Sequence, residues 1–189
     1  HYSKIKPYKL LYVSTIDMYK HQWNVVEAIN LLREEGYPLE VDLVGDYYSP
    51  ALKKLESVIA KYDRSEKWVH YHGPISFKRL HNIYQNTDLG VLASSCETFS
   101  IILLEKMAAG LPIACSNRGP FQGMVKEGGE YFDPESPKDI ATTIKTLIEN
   151  PILRSEKARR SYELSKSYTW KKCSIETINF LRSVTEKET

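Results

Sequence analysis

Two carboxylates, Glu97 and Glu105, lie eight positions apart and flank the apolar run Ile101-Ile102-Leu103-Leu104. On one helix they would stand ~12 Å apart along the axis. The paired acid and base of a glycoside hydrolase work at ~5–9.5 Å, so two separate tasks on one ligand fit the spacing better. Glu105 falls just over one turn into a helix with apolar residues on most faces, and a carboxylate buried without hydrogen-bond donors is costly. The two hydroxyls of a ribose would serve, because a carboxylate accepts two hydrogen bonds side by side. A neighbouring lysine, or plain exposure to water, would also serve. Glu97 precedes the helix, where its charge either complements the helix dipole, worth ~0.3–1 kcal/mol, or is aimed at a ligand.

The start of that helix can do chemistry of its own. Ser100, or Thr98 two residues earlier, is suited to cap it. Backbone N–H groups around Ser100, Ile101 and Ile102 then have no intrahelical acceptor, and such a terminus is a ready site for phosphate. The chain carries no G-x-G-x-x-G and no G-x-x-x-x-G-K-[ST] run, which argues against a nicotinamide dehydrogenase or a P-loop ATPase.

Short apolar runs alternate with longer periodic segments along the whole chain, and these must hold the two carboxylates in place. LLYVST (10–15), LEVDLVGD (39–46), WVHYHGPI (68–75), LGVLASS (89–95), LPIACSN (111–117) and GEYFDP (129–134) read as strands. Between them, QWNVVEAINLLREEG reads as a helix with Trp23, Val25, Val26, Ile29 and Leu32 on one face and Gly36 closing it. PALKKLESVIAKYDRS follows, with Pro50 in its first turn, then SFKRLHNIYQNTD capped by Ser76, and SIILLEKMAAG. SPKDIATTIKTLIENP, ILRSEKARRSYELSKSY and WKKCSIETINFLRSVTEK complete the helices. Strands alternating with helices of this length imply right-handed crossovers and a parallel sheet covered on both faces. The expected fold is a single α/β Rossmann-like domain spanning residues 1–189, with its site in the loops after Val13, Val44, His72, Ala93 and Ala114, where strands end.

Composition narrows the classes further. A net charge of +2 over 189 residues is too small to argue for nucleic acid or a membrane surface, and no run approaches the ~20 apolar residues that span a bilayer. The first residues, HYSKIKPYKLLYV, show no apolar signal region and begin without Met; they read as a cut from a longer chain, with His1 as a remnant. Three scattered cysteines, Cys96, Cys115 and Cys173, suggest a reducing compartment rather than a disulfide framework. His70 and His72 alternate on a strand and so share a face, but no third ligand follows at a convincing spacing and no metal is expected. The run RSEKARR reads as a solvated helix face and Arg118 as a surface arginine. The thirteen tyrosines read as packing residues with wet hydroxyls.

The block CETFSIILLEKMAAGLPIACSN resembles the E-x7-E region of retaining GT-B glycosyltransferases, particularly glycosyltransferase family 4, with Glu97, Phe99, Ser100, Glu105, Ala108, Gly110 and Pro112 in register. HGPISFKRLHNIYQNTDLGVLASS resembles the preceding family block, VKEGGEYFDPESPKDIATTIKTLIENP the following one, and Trp170 the aromatic before the final helix. The resemblance covers essentially the whole chain. It implies one half of a GT-B fold, the C-terminal, donor-binding domain, whose last helices (about 152–189) pack back toward an N-terminal domain in the same protein.

The resemblance also implies roles. Glu105 would hold the ribose of a nucleoside-diphosphate sugar, and Glu97 the sugar hydroxyls. The backbone at Phe99, Ser100 and Ile101 would meet sugar and diphosphate, Lys20 the diphosphate, and the turn from Gly73 to Ile75 the base. Transfer with retained configuration to a saccharide or a lipid- or protein-linked acceptor would need no metal or other cofactor and no nucleic acid. The protein would be cytoplasmic, with any contact to the inner face of a membrane made by parts outside this segment, and the isolated domain would turn over little or nothing. One position departs from the family: Thr15 stands where an arginine is usual, so a phosphate-binding cation is lost. That departure keeps a non-catalytic sugar-nucleotide module open beside the transferase, as the fold keeps open a nucleotide-sugar epimerase or a sugar-phosphate synthase.

Overall fold

Six short strands, all parallel, form the sheet of this computed structural model, which describes residues 2–3, 5–65 and 67–185. They are β1 (Tyr8–Val13), β2 (Leu39–Val44), β3 (Val69–Tyr71), β4 (Leu89–Leu92), β5 (Ile113–Ser116) and β6 (Gly129–Phe132), in the order β3-β2-β1-β4-β5-β6. The order runs outward from β1 on one side and from β4 on the other, so two right-handed sets of crossovers place helices on opposite faces. β1, β4 and β5 are buried almost throughout, which is why they read as continuous apolar runs. The expected Rossmann-like sheet is the sheet observed.

Among the described residues eight helices accompany it: α1 (Gln22–Glu34), α2 (Ser49–Tyr62), α3 (Phe77–Gln85), α4 (Ile101–Ala108), α5 (Phe121–Val125), α6 (Pro137–Glu149), α7 (Pro151–Ser165) and α8 (Trp170–Thr185). Helix α1 buries Trp23, Val25, Val26, Ile29 and Leu32 as its periodicity requires, each side chain contributing ~1.5–3 kcal/mol. It ends at a glycine in the left-handed region: Gly36 has φ +97° and the Tyr37 N–H reaches back to the Leu32 carbonyl. No helix among the described residues is long and apolar enough to cross a membrane. Expectations for His1 and for residues 186–189 lie outside the described residues.

Four local readings change. The third strand pairs only over Val69–Tyr71, because Gly73 at φ +63° turns the chain away after His72. Residues 121–125, to which the sequence assigns no element, form α5; five residues are too few to show a helical period. Ser76 occupies the N-cap of α3, but its hydroxyl makes no capping bond. The basic run on α7 is only partly solvated: Arg154 donates to the Leu147 and Ile148 carbonyls at 2.9 and 3.0 Å, Lys157 pairs with Glu130 at 2.7 Å, and Arg160 pairs with Glu127.

Candidate donor site

Strand order reverses between β1 and β4, and their carboxyl ends open a crevice of about 220 Å³. Its walls include Thr15, Lys20, Glu97, Phe99, Ser100 and Ile101, six of the nine residues expected from sequence. A larger groove of about 720 Å³ lies between α2 and the β3 edge. It holds none of the expected residues and runs along the edge strand β3, away from the point where strand order reverses.

Two loops form the crevice and are sewn to each other. After β1 the chain makes a 3₁₀ turn, Met18–Lys20, whose first N–H is capped by the Asp17 carboxylate. The buried Tyr12 hydroxyl donates to the Lys20 carbonyl at 2.6 Å, so this tyrosine is not the wet packing residue expected. The Ser95 N–H, in the loop after β4, donates to the Tyr19 carbonyl at 2.8 Å, and Ser95 Oγ lies 2.9 Å from His21 Nε2. Burial lowers the His21 pKa, which favours a neutral ring at that junction. From the far side, the loop after β5 brings Gly119 against the Glu97 backbone; a Cβ there would lie 3.4 Å from the Glu97 carbonyl oxygen, and φ is +68°. A second close approach keeps the β2 loop near β1, where a Cβ on Gly45 would lie 2.1 Å from the Ser14 carbonyl oxygen.

The charges meet at the centre. Lys20 Nζ and the Glu97 carboxylate form an ion pair with side chains only 12% and 16% exposed. An ammonium has three N–H donors, so one bond to Glu97 leaves two for other acceptors. Thr15, exposed at the crevice rim, adds no charge; its carbonyl and the Ser14 hydroxyl both accept from the buried Gln22 Nε2 at 2.9 Å. Ser100, not Thr98, caps α4: its hydroxyl accepts from the Leu103 N–H at 3.2 Å. The first-turn N–H groups of Ile101 and Ile102, both at the crevice wall, have no intrahelical acceptor. The crevice thus combines one shared ammonium, a helix N-terminus and one carboxylate. Phe99, half exposed, lies 6.3 Å from the Tyr168 ring, centroid to centroid.

The other three expected residues lie outside this crevice. Glu105 is half buried on α4, and its Oε2 accepts from the Tyr84 hydroxyl of α3 at 2.9 Å. Gly73 and Ile75 sit in the turn after β3, just before α3, with the Gly73 carbonyl accepting from the Gly45 N–H at 3.0 Å. Arg118 pairs with Asp133 and Glu135 at 2.9 and 2.5 Å. His70 and His72 face Glu40 and Asp42 on β2, at 3.7 and 2.5 Å. Cys96, Cys115 and Cys173 are free thiols.

Sequence reasoning missed three contributors. Tyr84 is separated by 21 positions from the carboxylate it binds, and no local pattern links them. Gln22 looked like an ordinary first helical residue. Lys106 is fully buried on α4, its amine without a partner among the described residues, and burial pushes its pKa down to about 7. A signal for it existed: residue 106 shares the i, i+3, i+4 face of Leu103 and Met107, both buried.

The chain matches the family model described as glycosyl transferases group 1 over residues 2–164. O-antigen chain mannosyltransferase B of Escherichia coli is 27% identical to it over 172 residues, 89% of this chain and 44% of that protein. The chain spans less than half the length of the first curated relatives it matches, 44% and 41%. Among solved structures, HepE of Anabaena in complex with UDP superposes with a TM-score of 0.77 at 21% identity, over 98% of this chain and 50% of that one. The C-terminal domain of a glycosyl transferase group 1 family protein from Francisella tularensis gives a TM-score of 0.74 at 23% identity, over 86% of this chain and 85% of that one. At these identities the likeness speaks to the fold.

Proposed function

The chain belongs to the group 1 glycosyl transferases, and from that premise we propose that it is the donor-binding C-terminal half of a GT-B enzyme. The donor is a nucleoside-diphosphate sugar, transferred with retained configuration to a saccharide or a lipid- or protein-linked acceptor. The observation that carries this reading is the convergence, where strand order reverses, of the Lys20 ammonium with the unpaired N–H groups that open α4. Charge that develops on a departing diphosphate would meet donors already in place, the most effective form of electrostatic catalysis. Glu97, held by Lys20, faces the sugar end, and Phe99, Ser100 and Ile101 frame it. Glu105 takes the ribose, and the Gly73–Ile75 turn takes the base. In this scheme Lys20 and the helix terminus carry the charge that a divalent cation would otherwise take, and no metal is needed. HepE binds UDP in its solved complex, which supports a nucleotide-linked donor without fixing the base.

The partner domain would supply the acceptor site, with α7 and α8 packing back toward it and any contact with the inner face of a membrane made there. The isolated chain would then bind donor in the cytoplasmic setting proposed but turn over little. Thr15 favours a second reading, a non-catalytic sugar-nucleotide module, because the one ammonium in the crevice is already shared with Glu97.

Calorimetric titration of the chain with UDP-, GDP- and ADP-sugars tests the donor reading. One of the three should bind, and Glu105→Ala should weaken it by about tenfold or more, the scale of a lost hydrogen bond to a charged group. Absence of binding at millimolar concentration, together with no effect of Glu105→Ala, would remove it.

A further inference from the structure

We propose that Tyr84 is the positioning residue for Glu105, and that through it α3 sets the preference of the site for ribonucleotides. The inference rests on the donor reading above and adds to it a residue and a selectivity.

Glu105 stands in α4 with one described hydrogen-bond partner, the Tyr84 hydroxyl, at 2.9 Å from Oε2. The adjacent lysine, which the sequence offered as a partner, is turned away. The Lys106 stem crosses Gly90 of β4, so closely that a Cβ there would lie 2.8 Å from Lys106 Cδ, and its amine finds no partner. The orientation of Glu105 is therefore left to Tyr84, whose ring is buried in the core. Burial and the neighbouring Glu105 charge raise the pKa of this phenol far above its usual range. The hydroxyl stays protonated and its proton points to the carboxylate. With one lone pair of Oε2 engaged by Tyr84, Oε1 and the second lone pair of Oε2 are left for the two ribose hydroxyls, and the carboxylate is fixed in direction instead of free to rotate. The same α3 follows directly on the Gly73–Ile75 turn. One rigid element therefore joins the proposed base turn to the proposed ribose carboxylate.

The test compares the nucleotide found by the titration with its 2′,3′-dideoxy counterpart, in the wild-type chain and in Tyr84→Phe. The wild-type chain should prefer the ribonucleotide. Tyr84→Phe should weaken ribonucleotide binding by about tenfold and leave the dideoxy form within about twofold, collapsing the preference. In a Glu105→Ala background the same substitution should change nothing further, since the two residues act as one unit. A general loosening of α3 would weaken both nucleotides alike, and that result would overturn the proposal. So would full retention of ribonucleotide affinity in Tyr84→Phe. A wild-type chain that binds no nucleotide sinks the donor reading and this inference together, whereas one that binds but ignores Tyr84 sinks this inference alone.

Discussion

Helix α4 has eight residues and α8 has sixteen, and both carry apolar side chains at helical spacing. In α4, Leu103 and Met107 are fully buried against the sheet, even Lys106 is taken into the interior, and Ser100 closes the first turn. In α8 no residue is buried; Trp170 is 82% exposed, and Ile175, Ile178, Phe180, Leu181 and Val184 are exposed with it. An amphipathic stripe is a request for a partner, and most of a helix's stability comes from the packing that answers it. For α4 the answer lies within the chain, which lets the helix hold its N-terminus fixed beside Lys20. Among the described residues nothing answers α8.

The sharpest way to break the contrast is a matched truncation. Leu103→Ala removes side-chain atoms from a fully enclosed position and should cost ~2–5 kcal/mol. Urea denaturation should show a lower midpoint with an unchanged slope. A loss below ~1 kcal/mol would mean that the interior beside α4 collapses freely, and that α4 is not the rigid platform described here.

Lys106 sharpens the comparison from within α4. Its pKa falls from the usual 10.5 to about 7 on burial, with Glu105 opposing the shift. Between those values the unfolded chain holds a proton that the folded chain refuses, so stability rises with pH across this window. The slope is roughly 1 kcal/mol per pH unit, and below about pH 7 the full penalty is present. Lys106→Met keeps the stem over Gly90 and removes the unpaired amine. It should stabilise the chain at pH 7 by ~3–5 kcal/mol, the slope carried across the window from about 7 to 10.5, with the gain shrinking as pH approaches 10. Denaturation midpoints for both chains at pH 6, 7, 8, 9 and 10 would show it, and a gain independent of pH would mean that Lys106 is charged in the fold.

The same contrast marks what could be read from the letters. β1, β4 and β5 were visible because strands buried on both faces are apolar throughout. α1 and α4 were visible from their period and their caps. Ser100, Lys20 and Glu97 were brought to one crevice by strand order, and the topological rule anticipates that once the strands are placed. Pairings that cross from element to element were not visible. Tyr84 of α3 and Glu105 of α4 meet only through the tertiary fold, 21 positions apart, and Lys106 was hidden by its own charge, which suggests surface. The basic residues of α7 misled for the same reason: Arg154 and Lys157 reach back to α6 and β6 carbonyls, contacts set by helix packing and not by spacing along α7.

The smallest expected effect falls in α8. Ile178 and Leu181 are three positions apart and share a face, but both are about half exposed. Replacing either with alanine removes little contact with the rest of the chain, so each change should stay within ~0.5 kcal/mol in urea, against several for Leu103→Ala. The double substitution should still cost at most about 1 kcal/mol, since the two are neighbours on one face and lose little beyond a weak mutual contact. In a protein that also contains the proposed partner domain, the same two truncations should cost ~1 kcal/mol or more each, because a packed interface would then enclose them. Equal effects in the two settings would leave α8 without a partner in either, and would withdraw the proposal that it packs toward the other half.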